Sequence, residues 1–270
     1  MNHLISQQTP EDSPCRLCGG AVHHQFTLRV LGKYLVEYRR CEQCNSLQTE
    51  VPFWIAEAYS SHLALLDTGA AQRSLTNLAA AYCVSRILRL NDVIDFGGGD
   101  GLLCRLLRDY DINCFVHDKH AAATYAQGFD TPDFSKPGIV LAFEVMEHFA
   151  DPARELSNLF DVAPNAILVS TLVYSDQGPD WWYLAPESGQ HVFFYSDKAL
   201  RRIAKHYEYS YFAFGNYSLF VKPQLAASAR LILLRALLNG YSLRLVSAGM
   251  RLLPTPGVWK DFSERGARQK

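Results

Sequence analysis

The sequence predicts an α/β chain built on a doubly wound, largely parallel sheet, with a small cysteine-bearing ribbon in front and a helical tail behind. Three observations carry this expectation. The apolar run Val93-Ile94-Asp95-Phe96 ends at an acid, enters the glycine-dense turn Gly97-Gly98-Gly99-Asp100-Gly101 and continues into a leucine-rich, helix-like segment. Strand-like runs recur near 92–96, 113–117, 138–143 and 165–171 with helix-compatible stretches between them, an alternation that implies a parallel sheet covered by helices on both faces. Two C-x2-C pairs, Cys15/Cys18 and Cys41/Cys44, precede all of this.

Composition bounds the function without naming it. At 270 residues, the chain has room for one standard domain and small additions. Hydrophobic content of 49% and charge of 20% are ordinary for a globular protein. A net charge of -1 offers no general attraction to nucleic acid. Residues 1–14 are polar without a cationic-then-apolar leader pattern, and no uncharged apolar run is long enough to span a bilayer. The expectation is a soluble, cytoplasmic protein, in which seven cysteines serve metal and core roles rather than disulfides.

Taken in order, residues 1–48 read as a zinc ribbon. Four thiolates in two close pairs, Cys15, Cys18, Cys41 and Cys44, are what tetrahedral zinc requires, and they leave no open position for a substrate, so the expected metal is structural. Gly19 and Asn45 follow the pairs and tolerate the left-handed backbone of a tight knuckle. Between the pairs, Val22 to Leu28 and Tyr34 to Arg40 read as two strands turning near Leu31-Gly32-Lys33. A segment this short cannot build its own core, so metal binding supplies the folding energy. His23 and His24 read as exposed hairpin residues, and Cys83, Cys104 and Cys114 as inert core.

Residues 49–75 read as a helical connector with Phe53, Trp54, Ala58 and Tyr59 on an apolar face. Ser74 to Leu90 has helical spacing and leads into the first strand of the main domain, 76–222. The strand–glycine loop–helix unit there presents backbone amides to a polar ligand. Its spacing is G-x-G-x-G, and Asp118 follows where the second strand ends, placed to accept hydrogen bonds from ribose hydroxyls. These residues predict an adenosine-bearing ligand without a pyrophosphate. Tyr207 to Phe214 and Tyr217 to Lys222, joined through Gly215-Asn216, read as a closing antiparallel hairpin. In the tail, 223–270, Leu225 to Leu253 reads as a basic amphipathic helix. It would pack on the domain or on a second subunit of a homodimer; contact with a membrane surface is the less favoured use.

Asp95 with its glycine loop, Asp118 and the run Phe143-Glu144-Val145-Met146-Glu147-His148-Phe149-Ala150-Asp151-Pro152 together resemble class I S-adenosylmethionine-dependent methyltransferases over roughly residues 76 to 222. The resemblance implies a Rossmann-like sheet closed by an antiparallel hairpin, and S-adenosylmethionine as cofactor. Asp95, Gly97, Gly98, Gly99 and Gly101 would then cradle its methionine part, with Phe143 and Glu144 at the next strand end. Asp118, flanked by Lys119, would hold the ribose, and Asp133 would accept from the adenine amine. Tyr59 and Arg73 are lesser candidates for the methionine end.

Methyl transfer needs alignment of the acceptor and a base for its proton. Candidate bases are His191, His148 and Glu147. The aromatic segment 181–196 is similar to the H-E-H-x-x-Y-x-S run of zinc-ribbon-bearing sugar C-methyltransferases, where the second histidine and its preceding glutamate are associated with proton transfer. His191, Tyr195 and Ser196 match that run, but Gly189 and Gln190 depart from it. Gln190 takes no proton, so the expectation is O-methylation of a small or carrier-bound acceptor, a sugar or glycan precursor. Two alternatives stand beside it: a ribosomal-RNA base methyltransferase whose ribbon grips RNA, and a non-catalytic adaptor that retains cofactor binding.

Overall fold

A computed structural model describes residues 13–60, 68–226 and 229–268. In chain order the elements begin with β1 (Val22–Val30), β2 (Tyr34–Cys41), β3 (Leu47–Thr49), α1 (Ile55–Ser60), α2 (Ala70–Leu88), β4 (Asp92–Phe96), α3 (Leu102–Asp109) and β5 (Asn113–His117). They continue with β6 (Ile139–Phe143), α4 (Pro152–Phe160), β7 (Ala166–Ser170), β8 (Phe193–Phe194), α5 (Asp197–His206), β9 (Ser210–Phe214) and β10 (Tyr217–Val221). Four tail helices follow: α6 (Pro223–Ala226), α7 (Ala229–Leu237), α8 (Gly240–Met250) and α9 (Pro256–Arg268). The described residues fall into two compact units.

The first unit holds residues 13–60, 147–155 and 172–202. Its sheet has the order β1-β2-β3-β8, antiparallel throughout. The expected hairpin is present, turning through Leu31 (φ 53°) and Gly32 (φ 71°). The ribbon alone does not make the unit. Val36, Tyr38 and Leu47 share one core with Trp54, Tyr183, Leu184, Val192 and Phe194, so residues far along the chain complete a core too small to stand by itself. Arg16 ties the pieces together. Its guanidinium donates to the carbonyls of Ala150 (2.8 Å), Thr49 (3.0 Å) and Val192 (2.6 Å), and burial pulls its pKa down to about 10. Trp54 and Ala58 are buried as the connector's pattern predicts, whereas Phe53 is exposed.

The second unit holds residues 68–146, 156–171, 203–226 and 229–268 around a sheet of order β5-β4-β6-β7-β10-β9. Strands β4 to β7 run parallel, β10 is antiparallel to β7, and β9 closes the hairpin. This is the expected mixed α/β sheet with its antiparallel end. One expected feature is missing: residues 118–138, between β5 and β6, form turns and bends rather than a crossover helix. Pro132, Pro137, Gly128 and Gly138 punctuate that stretch and break helical continuity.

The tail is not the single helix expected for Leu225 to Leu253. Asn239 breaks it by capping α8, accepting from the Ser242 amide at 3.0 Å, and α7 and α8 meet at 88°. Arg230, Arg244 and Arg251 therefore do not share one helical wheel. Leu231, Leu234, Leu238, Leu243 and Met250 are buried in the core that also takes Leu78 and Val84 of α2. No single helix among the described residues is long and apolar enough to cross a membrane.

Candidate active site

The metal site forms as the spacing predicts. Cys15, Cys18, Cys41 and Cys44 bring their sulfurs within 4.8 Å of one another, with Cys15–Cys44 at 3.7 Å and Cys18–Cys41 at 3.5 Å. Tetrahedral zinc with bonds of about 2.3 Å separates its sulfurs by about 3.8 Å, so the cluster fits that ion. Gly19 (φ 72°) and Asn45 (φ 59°) adopt the left-handed backbone, and the Cys44 amide points at the Cys41 sulfur at 3.5 Å.

The glycine loop lies at the carboxyl end of β4. Asp95 sits beneath it, 2% exposed, with Oδ2 fully buried and bonded to no group among the described residues. Burial, then the charges of Asp118 and Asp100, push its pKa up to about 7. Any side chain at Gly98 would overlap that carboxylate. Gly97 needs its glycine twice over, with φ at 69° and the Val145 side chain 2.6 Å from where a Cβ would stand. Asp118 pins the loop through the Gly99 amide (2.9 Å) and its own turn through the amides of His120 (2.7 Å) and Ala121 (2.8 Å), accepting from all three. The loop's amides are engaged within the protein, Gly97 N–H on His117 O (2.7 Å), Gly99 N–H on Asp118 (2.9 Å) and Gly101 N–H on Gly98 O (3.0 Å), so the buried Asp95 oxygen beneath them is the polar atom here left to a ligand.

Two cavities open in this unit. One of about 500 Å³ is lined by Phe96, His117, Lys119, Asp130, Pro132 and Val140, among others. The second, of about 290 Å³, lies at the ends of β6 and β7 and is lined by Arg73, Asn77, Glu144, Ser170 and Tyr217, among others. Glu144 stands there in a left-handed conformation (φ 54°), costly for a residue with a side chain. Its amide donates to Ser170 O at 3.0 Å, and its carboxylate accepts from Ser170 Oγ at 2.8 Å. Phe143 ends β6 beside it, its ring 5.8 Å from that of Tyr217.

The expected bases gather in the first unit. Glu147 and His148 occupy a single 3-10 turn, Met146–His148. Their ligand atoms and one of His191 lie within 4.8 Å of one another, and the two imidazoles meet edge to face at 4.9 Å. Tyr183, 1% exposed, holds two members at once. Its hydroxyl donates to Glu147 Oε1 at 2.6 Å, and its carbonyl lies 2.6 Å from His191 Nδ1. A carbonyl only accepts, so Nδ1 carries a proton and donates it to this contact. Glu147 is fully buried, and its charge adds to the burial that pushes the Tyr195 hydroxyl well above its usual range. Gln190 is structural, donating to Ala58 O at 2.9 Å.

Asp133 is a correction. Its carboxylate accepts from Asn113 Nδ2 at 3.0 Å, and Asn113 opens β5 at the amino end, where it also binds Asp92. That is the wrong edge of the sheet for a cofactor. Asp130, three residues earlier, lines the larger cavity. Tyr183 was also missed, because an aromatic next to two tryptophans gives no hint that its carbonyl and hydroxyl fix a histidine and a glutamate. Tyr59 is exposed at the end of α1, its ring 6.4 Å from that of His148, and Arg73 lies in the smaller cavity. Trp182 is exposed, while Trp181 packs on Tyr174, Tyr183 and Phe194.

Residues 64–212, more than half of the chain, match a family described as a methyltransferase domain. Among solved structures, the chain is similar to the methyltransferase domain of bacterial CtHen1, with 18% identity over 54% of this chain and 97% of that one and a TM-score of 0.40. It is also similar to magnesium protoporphyrin IX methyltransferase ChlM from Synechocystis PCC 6803 with bound S-adenosylhomocysteine, at 12% identity over 64% and 97% of the two chains and a TM-score of 0.44. A third is the O-methyltransferase NcsB1 from neocarzinostatin biosynthesis, in complex with S-adenosylhomocysteine and 1,4-dihydroxy-2-naphthoic acid, at 19% identity over 49% and 48% and a TM-score of 0.38. No curated protein matches the chain by sequence.

Proposed function

The chain belongs to the methyltransferase-domain family and is an S-adenosylmethionine-dependent methyltransferase, and from that premise we propose that it methylates a hydroxyl of a small or carrier-bound metabolite, a sugar or other glycan precursor. S-adenosylmethionine, when bound, supplies a methyl group on a positively charged sulfur, which an acceptor oxygen takes in line as sulfur recovers the bonding electron pair. Asp118 and Lys119 would hold the ribose side, with Asp130 in the adjoining cavity. Asp95, Gly97, Gly98, Gly99 and Gly101 would hold the methionine side, with Phe143 and Glu144 at the next strand end. The chain's remaining task is to orient the hydroxyl and receive its proton.

One observation carries the hydroxyl reading: the Glu147–His148–His191 cluster with Tyr183 fixing two of its members. An imidazole pinned through Nδ1, beside a buried carboxylate, is poised to accept charge at Nε2. The ribbon's basic residues weigh against an RNA acceptor. Arg16 is spent on backbone carbonyls, Arg39 pairs with Glu37, Arg40 with Asp176 and Lys33 with Glu57. Few cations remain to meet phosphates.

The test is incubation with labelled S-adenosylmethionine and a panel of sugar nucleotides, carrier-linked sugars and small hydroxylated acceptors, with ribosomal RNA alongside. Label transferred to a hydroxyl in the small-molecule panel is the expected result. Label entering RNA alone would replace this reading with the base-methyltransferase one.

A further inference from the structure

We propose that Glu147, His148 and His191 form a binding site for a divalent first-row cation, distinct from the four-cysteine site. The donor set is two imidazoles and a carboxylate, a combination that suits such ions and leaves coordination positions free for solvent or substrate. The three ligand atoms lie within 4.8 Å of one another. Bonds of about 2.0–2.2 Å place neighbouring ligands about 3–3.4 Å apart, so a contraction below about 2 Å completes the site.

The surroundings are those of a supported metal centre rather than a chance cluster. Metal-bound histidine characteristically donates its other ring N–H to a carbonyl or carboxylate, which fixes the ring's orientation. His191 does this through Nδ1 to the Tyr183 carbonyl at 2.6 Å. Ligating carboxylates are held in the same way, and Glu147 accepts from the Tyr183 hydroxyl at 2.6 Å. One buried residue therefore orients two of the three donors. Glu147 is 0% exposed and Phe194 likewise, so the carboxylate faces little solvent, and a cation beside it gains from the weak screening. The 3-10 turn at Met146–His148 projects Glu147 and His148 from adjacent positions; the Val192 amide fastens this turn to the loop carrying His191, donating to Glu147 O at 2.9 Å.

The consequence rests on the functional reading above: a hydroxyl coordinated here ionises at a lower pH, and the cation rather than an imidazole bears its charge. The site itself rests only on geometry. The thiolate cluster favours zinc, whereas the nitrogen–oxygen set accepts harder ions, so Mn2+ separates the two.

The 270-residue protein, its zinc retained and quantified, is titrated with Mn2+ alone, free ion being read from its electron paramagnetic resonance signal. The expected result is one saturable Mn2+ per chain, weakened at least about tenfold by His148→Gln and by His191→Gln. Tyr183→Phe, which removes only a hydroxyl, should weaken it about tenfold or more with zinc content unchanged. No saturable Mn2+, or equal binding in wild type and the histidine variants, overturns the proposal. A protein that binds Mn2+ but not S-adenosylhomocysteine keeps this site and loses the functional reading; one that binds S-adenosylhomocysteine without Mn2+ does the reverse.

Discussion

Asp118 fastens the glycine loop through the Gly99 amide and its own turn through the amides of His120 and Ala121, and in the proposed site the same carboxylate would hold the ribose. Asp118→Ala should weaken S-adenosylhomocysteine by about 1–3 kcal/mol, the scale of a hydrogen bond to a charged group. Asp95 makes a pH prediction. Its carboxyl is raised from 3.8 to about 7, so the folded protein holds a proton that the unfolded chain releases. Its contribution to stability is complete below about pH 4 and is lost as pH rises through about 7. Without ligand, Asp95→Asn should melt above wild type at pH 8 and lose that pH dependence; parallel melting curves would remove the buried carboxyl from this role. His191→Ala should cut turnover far more than cofactor affinity, and an equally active variant would show that the cluster does not handle the proton. The residues legible in the sequence share one property: their neighbours in space are neighbours in the chain. Asp95 beside its glycine loop and each Cys-x2-Cys pair within itself are of this kind. The contacts of Arg16 with Val192, of Tyr183 with Glu147 and of Asp133 with Asn113 span many residues, and no local spacing encodes them.

At the scale of elements, the ribbon strands, the parallel strands and the closing hairpin were legible because apolar runs and turn residues mark them locally. The crossover between β5 and β6 was not, since its helix-compatible composition is interrupted by proline and glycine whose effect depends on the tight return of the chain. The contribution of β8 to the ribbon sheet was not legible either: a two-residue strand has no periodicity to read. It has a consequence, however. Loss of zinc through Cys15→Ser should raise amide exchange not only in residues 13–50 but also at Phe193–Phe194 and through 172–202, which share the same core. Exchange confined to the ribbon would contradict the shared core. At the far end, Asp261 anchors α9 by a bidentate bond to Arg108 (2.7 and 2.8 Å) and a further one to Arg105 (2.7 Å). Asp261→Ala leaves Arg108 buried without its partner and should cost about 3–5 kcal/mol in chemical unfolding; a loss below about 1 kcal/mol would show that α9 is held by other contacts.

For the whole molecule, each unit has its own sheet and core, so the two sites should fail separately. A zinc-depleted protein should still bind S-adenosylhomocysteine, and Asp118→Ala should keep its zinc. The central claim is that the glycine loop, Asp95 and Asp118 form a working cofactor site, since the methyl-transfer reading and the role of the histidine cluster both depend on it. Calorimetric titration of wild type and Asp118→Ala with S-adenosylhomocysteine, side by side, tests it most directly. The account predicts one site per chain with affinity on the order of micromolar in wild type, and a drop of about tenfold or more in the variant. No binding by wild type, or equal affinity in the two proteins, would contradict it.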